Sequence, residues 1–314
     1  MVDRLKRIAG SFWFKAALSV ILLTLLLSRT DLSQLLGVVA RANPGWVLLA
    51  FLGYLGSQFL SLLRWRMLAL PLGFDEPFSR YFSYYCTGMY MNLFAPSTVA
   101  GDIGRALLLA GGQKRKTLAF TTVLADRGLG FIALTWVGAF GILAQPWYPV
   151  PKLLYYSAWI IPPGTMAGWL WGPPLAIRFL APTNKWRVLI ERDLAPYWKD
   201  WQLLVRTTLL AMVFHTVQIS TQFVLAWALV IPVSASFFFV FVPVVNILGM
   251  IPISFSGIGV RESGYAVALA SVGVDHEFAV ALGLLSSALV LATGLTAALV
   301  FVFNKSPAVV PVED

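Results

Sequence analysis

Pro252-Ile253-Ser254-Phe255-Ser256-Gly257-Ile258-Gly259-Val260-Arg261-Glu262 interrupts one of the most apolar parts of the chain. A second stretch, Pro96-Ser97-Thr98-Val99-Ala100-Gly101-Asp102-Ile103-Gly104-Arg105, repeats its punctuation. One offset, close to half of the 314 residues, aligns Pro96 with Pro252, Gly101 with Gly257 and Arg105 with Arg261. An arginine inside an apolar segment is costly in a bilayer, so each is expected to face protein or a polar cavity. Broken segments at matching positions in two halves are the sequence pattern of a transport site.

The surroundings are those of an integral membrane protein. The chain is 59% hydrophobic and 12% charged, with a mean hydropathy of +0.78. A soluble domain is about one-quarter charged. Apolar helices fit near residues 12–28, 45–63, 117–143, 153–180, 207–230 and 278–303, each near the ~17–25 or more residues a span needs. The segments 81–95 and 235–251, and those that follow each motif proline, are shorter. About 15 residues at ~1.5 Å each reach roughly 22 Å, short of the ~30 Å hydrocarbon core. Two arrangements fit: a re-entrant hairpin that enters and leaves by one face, or two short tilted spans. We take the hairpin.

The expected fold class is therefore an all-α polytopic membrane protein, with about six full spans and two oppositely oriented re-entrant helical hairpins. It forms a single transmembrane domain over 1–314, an inverted repeat with halves at roughly 1–150 and 151–314. The segment 185–201 alternates charges with Trp186, Leu189, Leu194, Tyr197 and Trp198. It reads as an amphipathic helix in the interface, or as an ordinary polar connector. Most of the 23 Lys and Arg residues fall on one side of this topology, which predicts cytoplasmic N- and C-termini. The same distribution accounts for a pI near 9.8 without a nucleic-acid partner.

Other chemistry finds little support. One cysteine, Cys86, permits no internal disulfide, and His215 and His276 lack metal-ligand spacing, so no metal or cofactor is expected. There is no phosphate-binding Gly-Lys-Ser/Thr loop, nucleophile elbow or His-Glu-x-x-His motif, so no catalytic residue is assigned.

The broken motifs suit an anion. A short helix starting after each tip would aim its free N–H groups inward, and Arg105 and Arg261 add full charges; phosphate fits such a site. Pro96 and Pro252 break the helices, and Ser97, Ser254 and Ser256 offer hydroxyls. Gly101, Gly104, Gly257 and Gly259 allow tight turns and close approach. Asn92 and Asn246 precede the prolines, placed either to satisfy opened backbone or to contact a headgroup. The structural alternative pairs Arg105 with Asp102 and Arg261 with Glu262. Asp126-Arg127, about ten residues into its span, either pairs structurally or lines a polar path, with Glu262 as a further gating residue. Arg64-Trp65-Arg66 reads as an interfacial anchor, with attraction of anionic lipid headgroups as a secondary role, and His215 as a hydrogen-bonded core residue in preference to a proton relay.

Pro252 with Gly257-Ile258-Gly259-Val260-Arg261-Glu262, Asn92, Pro96, Gly101-Asp102, Arg105 and Asp126-Arg127 resemble the lysylphosphatidylglycerol synthase transmembrane region, also described as a flippase-like domain. The resemblance runs over nearly the whole chain. It implies a multi-pass protein of a bacterial or archaeal cytoplasmic (inner) membrane that moves lipid between leaflets. In full-length aminoacyl-phosphatidylglycerol synthases this region precedes an aminoacyl-transferase domain. None follows the last span before Asp314, so the expectation is a non-enzymatic member that does not make lysylphosphatidylglycerol. The expected function is a lipid translocase for a phosphate-bearing or otherwise anionic amphiphile. The alternative is an embedded enzyme or accessory subunit of envelope lipid or glycolipid biosynthesis. The partners implied are a membrane lipid and an envelope-biosynthesis enzyme; an oligomer is compatible with this.

Overall fold

The computed structural model describes residues 12–94, 99–111, 115–145, 150–250 and 258–303. Helices follow in the order α1 (Phe12–Ser28), α2 (Leu32–Ala40), α3 (Pro44–Ala69), α4 (Phe78–Phe94), α5 (Val99–Ala110), α6 (Lys116–Ala144) and α7 (Lys152–Phe179). After these come α8 (Lys185–Val188), α9 (Ala195–Lys199), α10 (Trp201–Ala228), α11 (Ala235–Met250), α12 (Val260–Ala270) and α13 (His276–Phe303). There is no strand among the described residues.

Among the described residues, four segments are long and apolar enough to cross a bilayer: Pro44–Leu72, Lys116–Ala144, Trp201–Ala228 and His276–Val300. α1 and α2 form a fifth only if counted as one span across their 92° bend. Length and apolarity thus support four or five of the six full spans expected. α7 has 28 residues, but Pro162, Pro163, Pro173 and Pro174 lie within it, and its Trp, Tyr and Gly residues dilute its apolarity. All of these helices leave large apolar side chains exposed, among them Leu52, Leu124, Phe179, Leu209 and Leu299. That is the surface a lipid-facing bundle presents.

Local chemistry sets the helix starts. Asn43 accepts hydrogen bonds from the Gly45 and Trp46 amides, and Pro44 occupies the first turn of α3. Asp200 accepts from the Leu203 amide and starts α10. Asp31 starts α2, and the hydroxyl of Ser33 and the amide of Gln34, donating to it, hold its carboxyl below the ordinary range.

α3 lies along α10, so close that a Cβ on Gly53 would stand 2.8 Å from Thr221 Cγ2. α4 packs on α5, and α11 on α12. α6 packs against both α5 and α11, while α13 packs against both α12 and α4. One apolar core gathers Leu225, Phe238, Val242, Tyr265 and Leu282. A second gathers Leu62, Trp65, Tyr81, Leu109 and Tyr197.

Arg64 and Trp65 are not interfacial anchors. α3 continues to Ala69, so both stand more than a turn inside its end and point into the bundle. Trp65 is fully buried; its indole N–H donates to Thr122 Oγ1 at 3.0 Å, and its ring meets Tyr81 edge-on at 5.2 Å. The segment 185–201 is broken into α8, a π turn over Leu189–Asp193 and α9, and is not one continuous amphipathic helix. Tyr197 is buried and fastens it, donating to the Leu68 carbonyl at 2.8 Å.

Candidate functional site

The two short helices that follow the motif prolines are α5, of 12 residues, and α12, of 11. At ~1.5 Å per residue neither reaches much beyond about half of the bilayer core. α5 meets α4 backbone to backbone: a Cβ on Gly101 would stand 2.1 Å from the Gly88 carbonyl oxygen. Asn92 Oδ1 accepts from the Gly101 amide at 2.8 Å. Of the two roles open to Asn92, this is the backbone one.

α12 starts differently. Gly259 takes φ +86°, a conformation that other residues rarely adopt. Glu262 reaches back so that one carboxylate oxygen accepts from the Gly259 amide at 2.7 Å. The Ser287 hydroxyl donates to the other. Glu262 is 1% exposed, and it neither pairs with Arg261 nor lines the cavity described next. Its charge instead offsets the positive end of its own helix.

A cavity of about 300 Å³ lies between the helix pairs α4–α5 and α11–α12 and the middle turns of α3, α6, α10 and α13. Arg105 from the first motif and Arg261 from the second both line it. Asn92, Gly101, Asp102, Asp126 and Arg127 join them there. Gly104 and Asn246 do not: Gly104 packs on Met91, and Asn246 is half-buried on α11. Pro96, Ser97, Pro252, Ser254, Ser256 and Gly257 lie outside the described residues.

The charged side chains form a continuous chain. Arg64 Nε meets Asp126 Oδ1 at 2.7 Å, and Arg105 Nη2 meets Asp126 Oδ2 at 3.0 Å. The same Arg105 nitrogen lies 3.0 Å from Asp102 Oδ1. Arg127 closes the series with a two-pronged contact to Asp102, Nε at 2.7 Å and Nη2 at 2.9 Å. Arg64, Arg105 and Asp126 are each 4% exposed or less. Taking ions out of water costs several kcal/mol each unless pairing is close. Here Asp126 receives two guanidinium groups and thereby holds α3, α5 and α6 together. Arg105, Asp126 and Arg127 are thus ion-paired and at the same time line the cavity.

Pairing leaves donors over. Arg64 Nη1, Arg105 Nε, Arg105 Nη1 and Arg261 Nε are buried without an acceptor. Rings cover the cations: Arg105 stands 4.9 Å from the Trp65 ring and 5.6 Å from that of Tyr85, and Arg64 5.6 Å from that of Phe214. His215 Nε2 bonds the Gly130 carbonyl at 2.8 Å, while its Nδ1 is buried and unpartnered. Tyr54, Gln58, Tyr85 and Gln218 add polar groups to the wall. Arg64 and these four were missed by the sequence reading; a polar face on α3, at Tyr54, Gln58, Ser61 and Arg64, is the signal that marks it.

The family described as lysylphosphatidylglycerol synthase TM region matches residues 12–298. A UPF0104 membrane protein of Methanocaldococcus jannaschii is 27% identical over 114 residues. That alignment covers 36% of this chain and only 34% of the relative's length. With its apolar helices, the chain is a multi-pass membrane protein that belongs to the lysylphosphatidylglycerol synthase transmembrane region family.

Proposed function

We propose that the protein is a lipid translocase that moves a phosphate-bearing amphiphile between leaflets of the cytoplasmic membrane. The observation that carries this reading is the convergence of Arg105 and Arg261 on one cavity, with buried guanidinium N–H groups that lack acceptors. Unpaired buried donors are costly to maintain unless a ligand uses them. A phosphate offers several charged acceptor oxygens in a small volume, which suits guanidinium forks.

The packing supports an inverted repeat. α6, the span after the first hairpin, packs against the second hairpin through α11. α13, the span after the second, packs against the first through α4. In this reading the hairpins are re-entrant, open from opposite faces, and expose the cavity alternately. Binding and exposure, not chemistry, would be the mechanism. The two carboxylates in the cavity are both ion-paired, so neither is a ready general base. The termini are cytoplasmic in this reading.

The test is lipid movement in vesicles. Labelled lipids with anionic phosphate headgroups are placed in one leaflet of vesicles containing the purified protein, and leaflet exchange is timed. Wild type should exceed protein-free vesicles, and Arg105→Gln/Arg261→Gln should not. Exchange no faster than in empty vesicles for every phosphate lipid tried would sink the reading.

A further inference from the structure

The balance of charge inside the cavity says more than a preference for anions. The lining carries four guanidinium groups, Arg64, Arg105, Arg127 and Arg261, and two carboxylates, Asp102 and Asp126. No other Lys, Arg, Asp or Glu is among the described lining residues. Glu262 stands outside the lining, with its carboxylate engaged by the Gly259 amide and the Ser287 hydroxyl. The formal excess is two positive charges. It is accompanied by four buried guanidinium nitrogens without acceptors, three of them on Arg64 and Arg105, each 4% exposed.

Arg64, Arg105 and Asp126 are buried in the inner wall of the cavity while Arg127 reaches its exposed rim, and excess charge beside buried walls is costly, so a ligand is selected first by how well it cancels the excess. A ligand with one negative charge leaves one cation uncompensated. A ligand with two cancels the excess and brings more terminal oxygens to the free donors. A ligand with net positive charge adds to it.

We infer that the cavity selects a headgroup that ends in a phosphate monoester or diphosphate, carrying at least two negative charges, over a phosphodiester headgroup. It rejects a headgroup that carries lysine, whose two ammonium groups outweigh its single phosphate charge. The inference deepens the translocase reading and rests on it for the lipid part of the ligand; the charge class rests on the cavity alone.

The experiment uses the full chain in detergent and measures binding of short-chain phosphatidic acid against phosphatidylmethanol with the same acyl chains. These lipids differ by one methyl group and one charge at pH 8, above the second phosphate pKa of about 6. Lysylphosphatidylglycerol and inorganic phosphate are the further probes. Phosphatidic acid should bind about tenfold tighter than phosphatidylmethanol, as an added charge-assisted contact implies. Lysylphosphatidylglycerol should not saturate the site, and Arg261→Gln should narrow the gap between the first two lipids.

Equal affinity for the two lipids in wild type, or tight binding of lysylphosphatidylglycerol, overturns the inference whether or not any variant folds. If that occurs while arginine-dependent leaflet exchange persists, the translocase reading stands without the selectivity. If inorganic phosphate matches phosphatidic acid and no lipid moves in vesicles, the charge class holds and the translocase reading falls.

Discussion

Asp126→Asn tests the ion chain at the residue on which most of it depends. The substitution keeps shape and one acceptor oxygen but removes the charge that faces Arg64 at 2.7 Å and Arg105 at 3.0 Å. Arg105 retains Asp102 at 3.0 Å. Arg64 has no other carboxylate among the described residues, so its loss dominates. Removing one partner of a buried pair costs about 3–5 kcal/mol. The surviving amide oxygen places this case near the lower end, about 3 kcal/mol. At about 2–4 °C per kcal/mol for a chain of some size, the midpoint should fall by about 6–12 °C.

The protein supplies its own probe for this assay. Cys86 is its one cysteine and is buried. A thiol-reactive dye therefore reports unfolding in detergent from a single known place. The second arm is Arg64→Met alone and combined with Asp126→Asn. The double variant leaves no orphaned Arg64 cation, so its loss should be smaller than the two single losses added, by about 1–3 kcal/mol. A midpoint shift below roughly 2 °C for Asp126→Asn, or strictly additive losses, would falsify the claim that this pair fastens α3 to α6.

Gly101→Ala should destabilise by about 1–3 kcal/mol or more, because its Cβ would stand 2.1 Å from the Gly88 carbonyl and 2.6 Å from Asn92 Oδ1. Gly128→Ala is the control: it meets open space, and an equal loss there would show that the helix contact is not the cause. Gly259→Ala should cost about 1–3 kcal/mol through its φ of +86° and should disturb the contact with Leu22, 2.7 Å from the added Cβ. A thermal midpoint equal to wild type for Gly259→Ala would refute the strained start of α12.

Much of this arrangement is legible in the sequence, and the misses share a cause. The long helices follow apolar runs whose lengths the bilayer dictates, so α1, α3, α6, α10 and α13 lie close to where hydropathy puts them. Gly101, Arg105 and Arg261 follow from a repeated spacing, and Asn92 from its place shortly before the first motif proline. Arg64 was missed because an arginine beside tryptophan near a helix end looks the same whether it reaches for the interface or turns inward. Only its partner decides, and Asp126 lies on another helix, far along the chain. Glu262 shows the converse error. Adjacency to Arg261 suggested an ion pair, but consecutive residues on a helix point about 100° apart, while the position three residues from a helix start reaches the capping amide. The broken segment between α7 and α10 has charges at helical intervals, and sequence periodicity did not foresee that Tyr197 would be drawn into the core against Leu68.

The two halves contribute unequally to the cavity, and this bears on how an anion would act there. Arg64, Asp102, Arg105, Asp126 and Arg127 come from the first half, and among the described lining residues Arg261 is the one charged group from the second. Two ion pairs tie the first hairpin to α6, Arg105 with Asp126 and Arg127 with Asp102. Arg261 has no ion pair among the described residues. A phosphate entering the cavity would therefore find Arg105 already held in place, with Nε and Nη1 still to offer. Arg261 could turn to it without giving up an ion pair to any described residue. Without the anion, two like charges face one cavity and oppose its closure; with it, a single ligand bridges both hairpins. The difference between these states lies in the ligand's own charge, which is the differential affinity that a bound lipid needs to shift one exposure toward the other.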